Sequence, residues 1–222
     1  MRKLSAQEFD DRVDVFDAMA KTSWLSPVHD QMIKESGSWK GKTVLDVGCG
    51  TGQMLKKRAN QESELMGVDL SVEMINAARH LFDTCHPSVD ATFLVGDVES
   101  LPIEDSTCDI VFASCILFFL PNPSYAIVEI SRVLKQGGVL ITLNPTKEMS
   151  ASNIERFQKI HGLPRNEREL LNRWCEVAQR RHRFNKLDWA YLLSDKPLTP
   201  VSHLSVLDGL AVILKAKKTK LF

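Results

Sequence analysis

Apolar and polar positions divide the chain into three parts. From residue 43 to 143, short apolar runs alternate with amphipathic stretches. The runs predict strands over 43–47, 64–69, 91–95, 107–113 and 138–143. Between them, Ser71 is placed to cap a helix through Met74, Ile75, Ala78, Leu81 and Phe82, with Glu73 in its first turn. Ser124 is placed to cap another through Ile127, Ile130, Val133 and Leu134, ending at Gly137 after Lys135. Strands alternating with helices predict a parallel sheet with right-handed crossovers. Ahead of this region, Phe9, Val13, Phe16 and Met19 or Ala20 form an amphipathic stripe that Pro27 breaks, and Val28, Met32 and Ile33 suggest a second short helix ending near Gly37. Behind it, 152–160, 166–182 and about 185–193 read as helices. Two last runs, 201–207 and 210–217, flank Asp208-Gly209, a strong hairpin signal. The prediction is an α/β, doubly wound seven-stranded sheet: five parallel strands and a C-terminal antiparallel hairpin.

The glycines say where a ligand would sit. The first run passes through Asp46 into Gly48, Cys49, Gly50, Thr51 and Gly52, and a helical pattern opens at Gln53. A turn that tight needs residues that accept positive φ and bring no Cβ against a ligand. The strand lifts the loop to the carboxyl edge of the sheet, where open α/β folds bind ligands. A dinucleotide fingerprint reads G-x-G-x-x-G and seats a pyrophosphate on the helix N-terminus. Here the spacing is G-x-G-x-G, Gln53 stands at the third glycine's place, and the Asp46 carboxylate sits badly with a phosphate. A ligand carrying an ammonium and a sulfonium suits it better. On these residues the chain resembles the class I S-adenosylmethionine-dependent methyltransferases, whose first motif the loop looks like. The terminal hairpin is the layout expected of that family, and not of a dinucleotide dehydrogenase half-domain. Leu134-Lys135-Gln136-Gly137-Gly138-Val139-Leu140 looks like the turn before the fifth strand in small-molecule members, including the ubiquinone and menaquinone biosynthesis methyltransferases. The resemblance covers about 40–145 and, more loosely, the hairpin; it implies a Rossmann-like fold and S-adenosyl-L-methionine as cofactor.

Asp46, Asp69 and Asp97 end three successive predicted strands, so their carboxylates share one rim. Asp69 follows the glycine loop by about the interval at which an acid takes up ribose hydroxyls, and one carboxylate can accept from both. The resemblance supports these roles. It also implies that Leu70 packs on the adenine, that Asp97 accepts from its amino group, and that the Val98 N–H donates to a ring nitrogen. Gly48, Cys49, Gly50 and Gly52 form the loop; Asp46 orders the loop amides or meets the cofactor ammonium through water; the Ser114 backbone lies near the methionine moiety. No catalytic residue is assigned: Ser114-Cys115-Ile116-Leu117-Phe118-Phe119 holds no acid, histidine or lysine, and the N-P-P-Y type motif is absent there. Phe118 and Phe119, with Phe16 and Trp24 from the N-terminal segment, are candidates to wall an apolar substrate pocket; the alternative is that they are ordinary core. His29, a lone histidine near a helix start, reads as a surface residue.

Composition narrows the partners. The 222 residues are 44% hydrophobic and 25% charged, with 28 basic against 28 acidic side chains. That is ample for one core and leaves no global attraction to nucleic acid or membrane. The N-terminus carries no apolar h-region, and the longest apolar run, 110–120, is too short to span a bilayer. Five scattered cysteines without a C-x-x-C pair predict reduced thiols, a cytoplasmic setting and no metal site. The expected organisation is a single domain: a helical N-terminal cap (1–40), a cofactor-binding core (41–145), a helical lid (146–199) and a hairpin (200–222). The expected function is methyl transfer by in-line displacement to a small, partly apolar acceptor, with no nucleic-acid or membrane partner. Two alternatives remain. One is an RNA methyltransferase using Arg165, Arg168, Arg173, Arg180, Arg181, Arg183 and Lys186, which otherwise make a solvated helix face. The other is a non-catalytic S-adenosylmethionine-binding protein.

Overall fold

Seven strands form one sheet in a computed structural model that describes residues 1–59 and 63–219. They are β1 (Thr43–Val47), β2 (Glu64–Asp69), β3 (Ala91–Val95), β4 (Cys108–Ser114), β5 (Leu134–Pro145), β6 (Leu198–Val206) and β7 (Ala211–Lys218). The order is β3-β2-β1-β4-β5-β7-β6. The first five strands are parallel, and β7 runs antiparallel between β5 and β6. Strand order reverses between β1 and β4, so a crevice opens beyond their carboxyl ends, the usual ligand position in such sheets. β1 is buried at every residue, as a central strand covered on both faces must be.

The helices are α1 (Ala6–Asp10), α2 (Val13–Ala20), α3 (Ser26–Ser36), α4 (Gln53–Lys56), α5 (Val72–Cys85), α6 (Pro123–Val133), α7 (Ala151–Ile160), α8 (Arg165–Gln179) and α9 (Lys186–Leu193). The N-terminal stripe is split: α1 ends and α2 begins across Asp11 and Arg12. Pro27 opens α3 instead of breaking a helix, since a first-turn proline gives up no needed N–H. Ser71 caps α5, its side chain accepting from the Met74 N–H. Ser124 does not cap α6. Asn122 does, accepting from the Ser124 N–H, with Pro123 at the first helical position.

That helix also ends earlier than the Lys135–Gly137 signal predicts. Leu134 is extended and pairs with Cys108, and the Lys135 ammonium reaches Asp109 at 2.7 Å, so pairing with β4 overrides the helical stop. At the hairpin, Asp208-Gly209 lies in the turn, but the connection runs over 207–210. Leu207, Asp208 and Gly209 all have positive φ, and Val206 pairs with Ala211. Residues 220–222 of the expected hairpin segment lie outside the described residues. A continuous buried apolar cluster extends from Trp24, just before α3, through the sheet to Ala216 on β7.

Candidate functional site

The glycine loop leaves β1 at Gly48 (φ 69°), where a Cβ would fall on the Ile116 side chain. Positive φ and that close approach both require glycine here. The loop amides are held by β2. Gly48 and Cys49 donate to the Val68 carbonyl at 2.7 and 3.1 Å, and Gly50 donates to Asp69 Oδ2 at 2.9 Å. Asp69 Oδ1 accepts from the Ser71 N–H at 3.0 Å, so one carboxylate ties the loop to the start of α5. Burial raises the Asp69 pKa, against the pull of these amides.

Asp46 therefore does not order the loop amides, as one reading of the sequence expected; Asp69 and Val68 do. Asp46 is 2% exposed, and its Oδ1 is buried with no partner. Burial, then the Asp69 carboxylate, push its pKa well above the usual range. An unpaired buried acid beside a second acid repels an anion and lacks a cationic partner. Those acceptors fit a ligand bearing an ammonium and a sulfonium, and they do not fit a pyrophosphate. Cys49 is buried and its thiol is pushed far up by burial, so it is inert beside the loop.

A cavity of about 600 Å³ opens from the loop toward the helices. Asp46, Gly48, Cys49, Gly50 and Ser114 line it, as do Phe16, Phe118 and Phe119. Phe9 meets Phe119 edge-on at 6.0 Å and Phe16 at 5.9 Å, so α1 and α2 supply one wall. Trp174, Val177, Arg173, Arg180 and Arg181 of the α8 region supply another. Trp24 is not on this wall. It is buried behind it, stacked on Trp174 at 5.5 Å, in the turn between α2 and α3.

Asp69, Leu70, Asp97, Val98 and Gly52 do not line the cavity either. The N-terminal segment lies across Asp69's and Asp97's part of the rim. Asp10 accepts from the Ser71 hydroxyl at 2.5 Å and from the Glu73 N–H at 3.2 Å. The Lys3 ammonium bonds Asp97 Oδ2 at 2.5 Å and also reaches Glu99, while Asp97 Oδ1 accepts from the Glu99 N–H.

Several residues escaped the sequence. His29 is not a surface residue: it is 5% exposed, lines the cavity, and its Nε2 lies 3.1 Å from Ser114 Oγ. Burial lowers its pKa to about 4, so it is neutral at physiological pH. Asp17 on α2 accepts from the Thr51 hydroxyl at 2.8 Å and from the Gln53 amide at 2.9 Å. Gln53, where a dinucleotide site has glycine, thus serves as a hook for the N-terminal helices. Glu167 on α8 accepts from the Ser23 N–H and hydroxyl, tying the roof to the same segment. No local pattern announces these pairings, which join residues 34 to 144 positions apart.

Among the described residues no cluster suits a metal ion, and no helix is long and apolar enough to cross a membrane. The five cysteines are free.

The sheet order, the loop and the acid rim define the class I methyltransferase fold. Residues 45–142 match the family model described as a methyltransferase domain. The malonyl-[acyl-carrier protein] O-methyltransferase of Hahella chejuensis is 32% identical over 139 residues, covering 61% of this chain and 47% of that protein. The demethylmenaquinone methyltransferase of Staphylococcus aureus is 32% identical over 137 residues, 60% of this chain and 54% of that protein. The chain thus spans about half the length of these curated relatives. A SAM-dependent methyltransferase from Aquifex aeolicus superposes with a TM-score of 0.67 at 19% identity, over 98% of this chain and 100% of that one, a likeness of fold. Residues 45–142 are thus similar to methyltransferase domains, and the fold is that of the class I S-adenosylmethionine-dependent type.

Proposed function

We propose that this chain binds S-adenosyl-L-methionine and transfers its methyl group to a small, partly apolar acceptor. One observation carries the reading: the buried, unpartnered Asp46 beneath a G-x-G-x-G loop, opening directly into an apolar-walled cavity. The family match and the methyltransferase names of the relatives support it. S-adenosylmethionine, when bound, supplies a methyl group already activated on a sulfonium.

The chain's own residues hold and orient. Asp46 meets the ammonium; the side chain of Asp69 takes the ribose end; Asp97, Leu70 and Val98 take the adenine. Ser114 faces the methionine side. Phe9, Phe16, Phe118, Phe119, Trp174 and Val177 exclude water and seat the acceptor. Orientation alone can account for roughly 7–11 kcal/mol of such a barrier, so no side-chain base is required. Helix α8 acts as the lid.

Calorimetry tests the assignment. S-adenosylhomocysteine should bind at micromolar levels and NAD not measurably. Asp69→Ala should weaken S-adenosylhomocysteine at least tenfold, because hydrogen bonds to a charged group contribute about 1.5–3 kcal/mol. Asp69→Asn, which keeps the shape and an acceptor oxygen, should lose less. NAD binding without S-adenosylhomocysteine binding would overturn the reading.

A further inference from the structure

The cavity lining is rich in positive charge. Besides Asp46 at the loop it carries four guanidinium groups: Arg12, Arg173, Arg180 and Arg181. None of the four pairs with a carboxylate among the described residues. Arg12 donates to the Glu8 carbonyl, and Arg181 donates to the carbonyls of Arg2 and Phe119 at 2.9 Å. Arg173 and Arg180 make no side-chain hydrogen bond or ion pair there, and both are exposed.

The carboxylates on the lining offset these charges only in part. Glu8 is taken by Arg2 in two bonds of 2.6 and 2.7 Å, and that pairing pulls its pKa down to about 2. Glu176, three residues from Arg173 and four from Arg180 on the same lining, has no ion pair among the described residues and offsets one of the four charges. Three arginines elsewhere are matched: Arg2 holds Glu8, Arg132 holds Glu129 and Asp105, and Arg165 holds Glu169. In a chain with zero net charge, four unmatched cations at one cavity are a local field, and such fields raise the concentration of the opposite charge.

Arg173 and Arg180 lie seven residues apart on the α8 region, two turns along one face, with Trp174 and Val177 between them on the cavity wall. A planar guanidinium bonds carboxylate or phosphate oxygens in pairs. We infer that the methyl acceptor is an amphipathic organic anion: an apolar body seated among Phe9, Phe16, Phe119 and Trp174, and an ionised carboxylate or phosphate held by Arg173 and Arg180. This rests on the methyltransferase reading and adds the acceptor's class.

The test uses short-chain probes on the S-adenosylhomocysteine-loaded chain by calorimetry. Decanoate and decyl phosphate distinguish the two anionic heads; decan-1-ol and decyltrimethylammonium share the tail alone. The expected result is binding of at least one anion, at least tenfold tighter than the alcohol or the cation. The Arg173→Ala/Arg180→Ala double variant should lose at least tenfold in that affinity. Arg180→Glu should lose more, and S-adenosylhomocysteine affinity, read in parallel, monitors the fold. Equal binding of all four probes, or anion binding unchanged in the double variant, overturns the inference. So does tRNA that displaces the anion and takes up methyl groups through the same arginines. If S-adenosylhomocysteine does not bind, the methyltransferase reading fails. Arginine-dependent decanoate binding to the unloaded chain then still upholds the anion site, and its absence removes it.

Discussion

At the scale of single residues, the site depends on charges that burial will not let ionise freely. Asp46 and Asp69 are pushed up by burial, and His29 is pushed down to about 4. For His29 the consequence for stability has a definite sign. An unfolded histidine titrates near 6.5, so between about pH 6.5 and 4 the unfolded chain takes up a proton that the folded chain refuses. Its contribution is complete above the unfolded value and is lost as pH falls through the folded one. His29→Gln carries no such proton. The stability difference between wild type and His29→Gln should therefore shift by about 3 kcal/mol in favour of the wild type from pH 4 to pH 7. Asp46 and Asp69 bind protons more tightly folded than unfolded and slope the other way, but they do so in both proteins and cancel in the difference. Urea titrations at the two pH values measure it; a pH-independent difference would mean that His29 is not held neutral.

At the scale of elements, the N-terminal segment is fastened at both ends of the site. Asp17 anchors α2 to the glycine loop, Arg181 binds the Arg2 carbonyl, and Lys3 occupies the acid expected to read the adenine. With Asp97 reading the adenine as proposed, the adenine amino group would compete with the Lys3 ammonium for Asp97 Oδ2. Lys3→Ala removes the competitor, and a part-exposed ion pair contributes about 0.2–1 kcal/mol. S-adenosylhomocysteine should bind about two- to fivefold tighter to the variant. Unchanged or weaker binding by calorimetry would show that Lys3 stays in place beside the adenine. The α8 roof is fixed differently, through Glu167 to Ser23 and through the Trp24–Trp174 stack, so it holds the turn between α2 and α3 against the cavity wall.

At the scale of the whole molecule, 28 basic and 28 acidic side chains leave no far field, and charges farther apart than about 8 Å are screened at physiological ionic strength. The basic residues of 165–186 do not join into one face: Arg173, Arg180 and Arg181 line the cavity, while Arg165 pairs with Glu169. Nucleic acid needs a continuous basic track with stacking aromatics. Bulk tRNA and duplex DNA should therefore bind weakly at physiological salt and take up no labelled methyl group. Tight, steeply salt-dependent binding with incorporation would replace the small-acceptor reading.

The sequence by itself determined what short-range chemistry can specify. Strands 43–47, 64–69 and 91–95 form at the residues their apolar runs predict, because a buried strand must be apolar and its ends carry Gly, Asp and Ser turn chemistry. The glycine loop, the Ser71 cap and the antiparallel pair about Asp208-Gly209 follow from the same local rules. The tertiary structure alone decided which polar groups meet. Whether Asp46 or Asp69 holds the loop amides depends on the register of β1 against β2. Whether His29 is wet or buried depends on where α3 docks against the end of β4. Trp24 leaves the wall for its back, and Lys3 reaches Asp97, through contacts 150 and 94 positions apart in the chain. Burial and charge pairing at such distances are properties of the packed fold, and no periodicity along the chain encodes them.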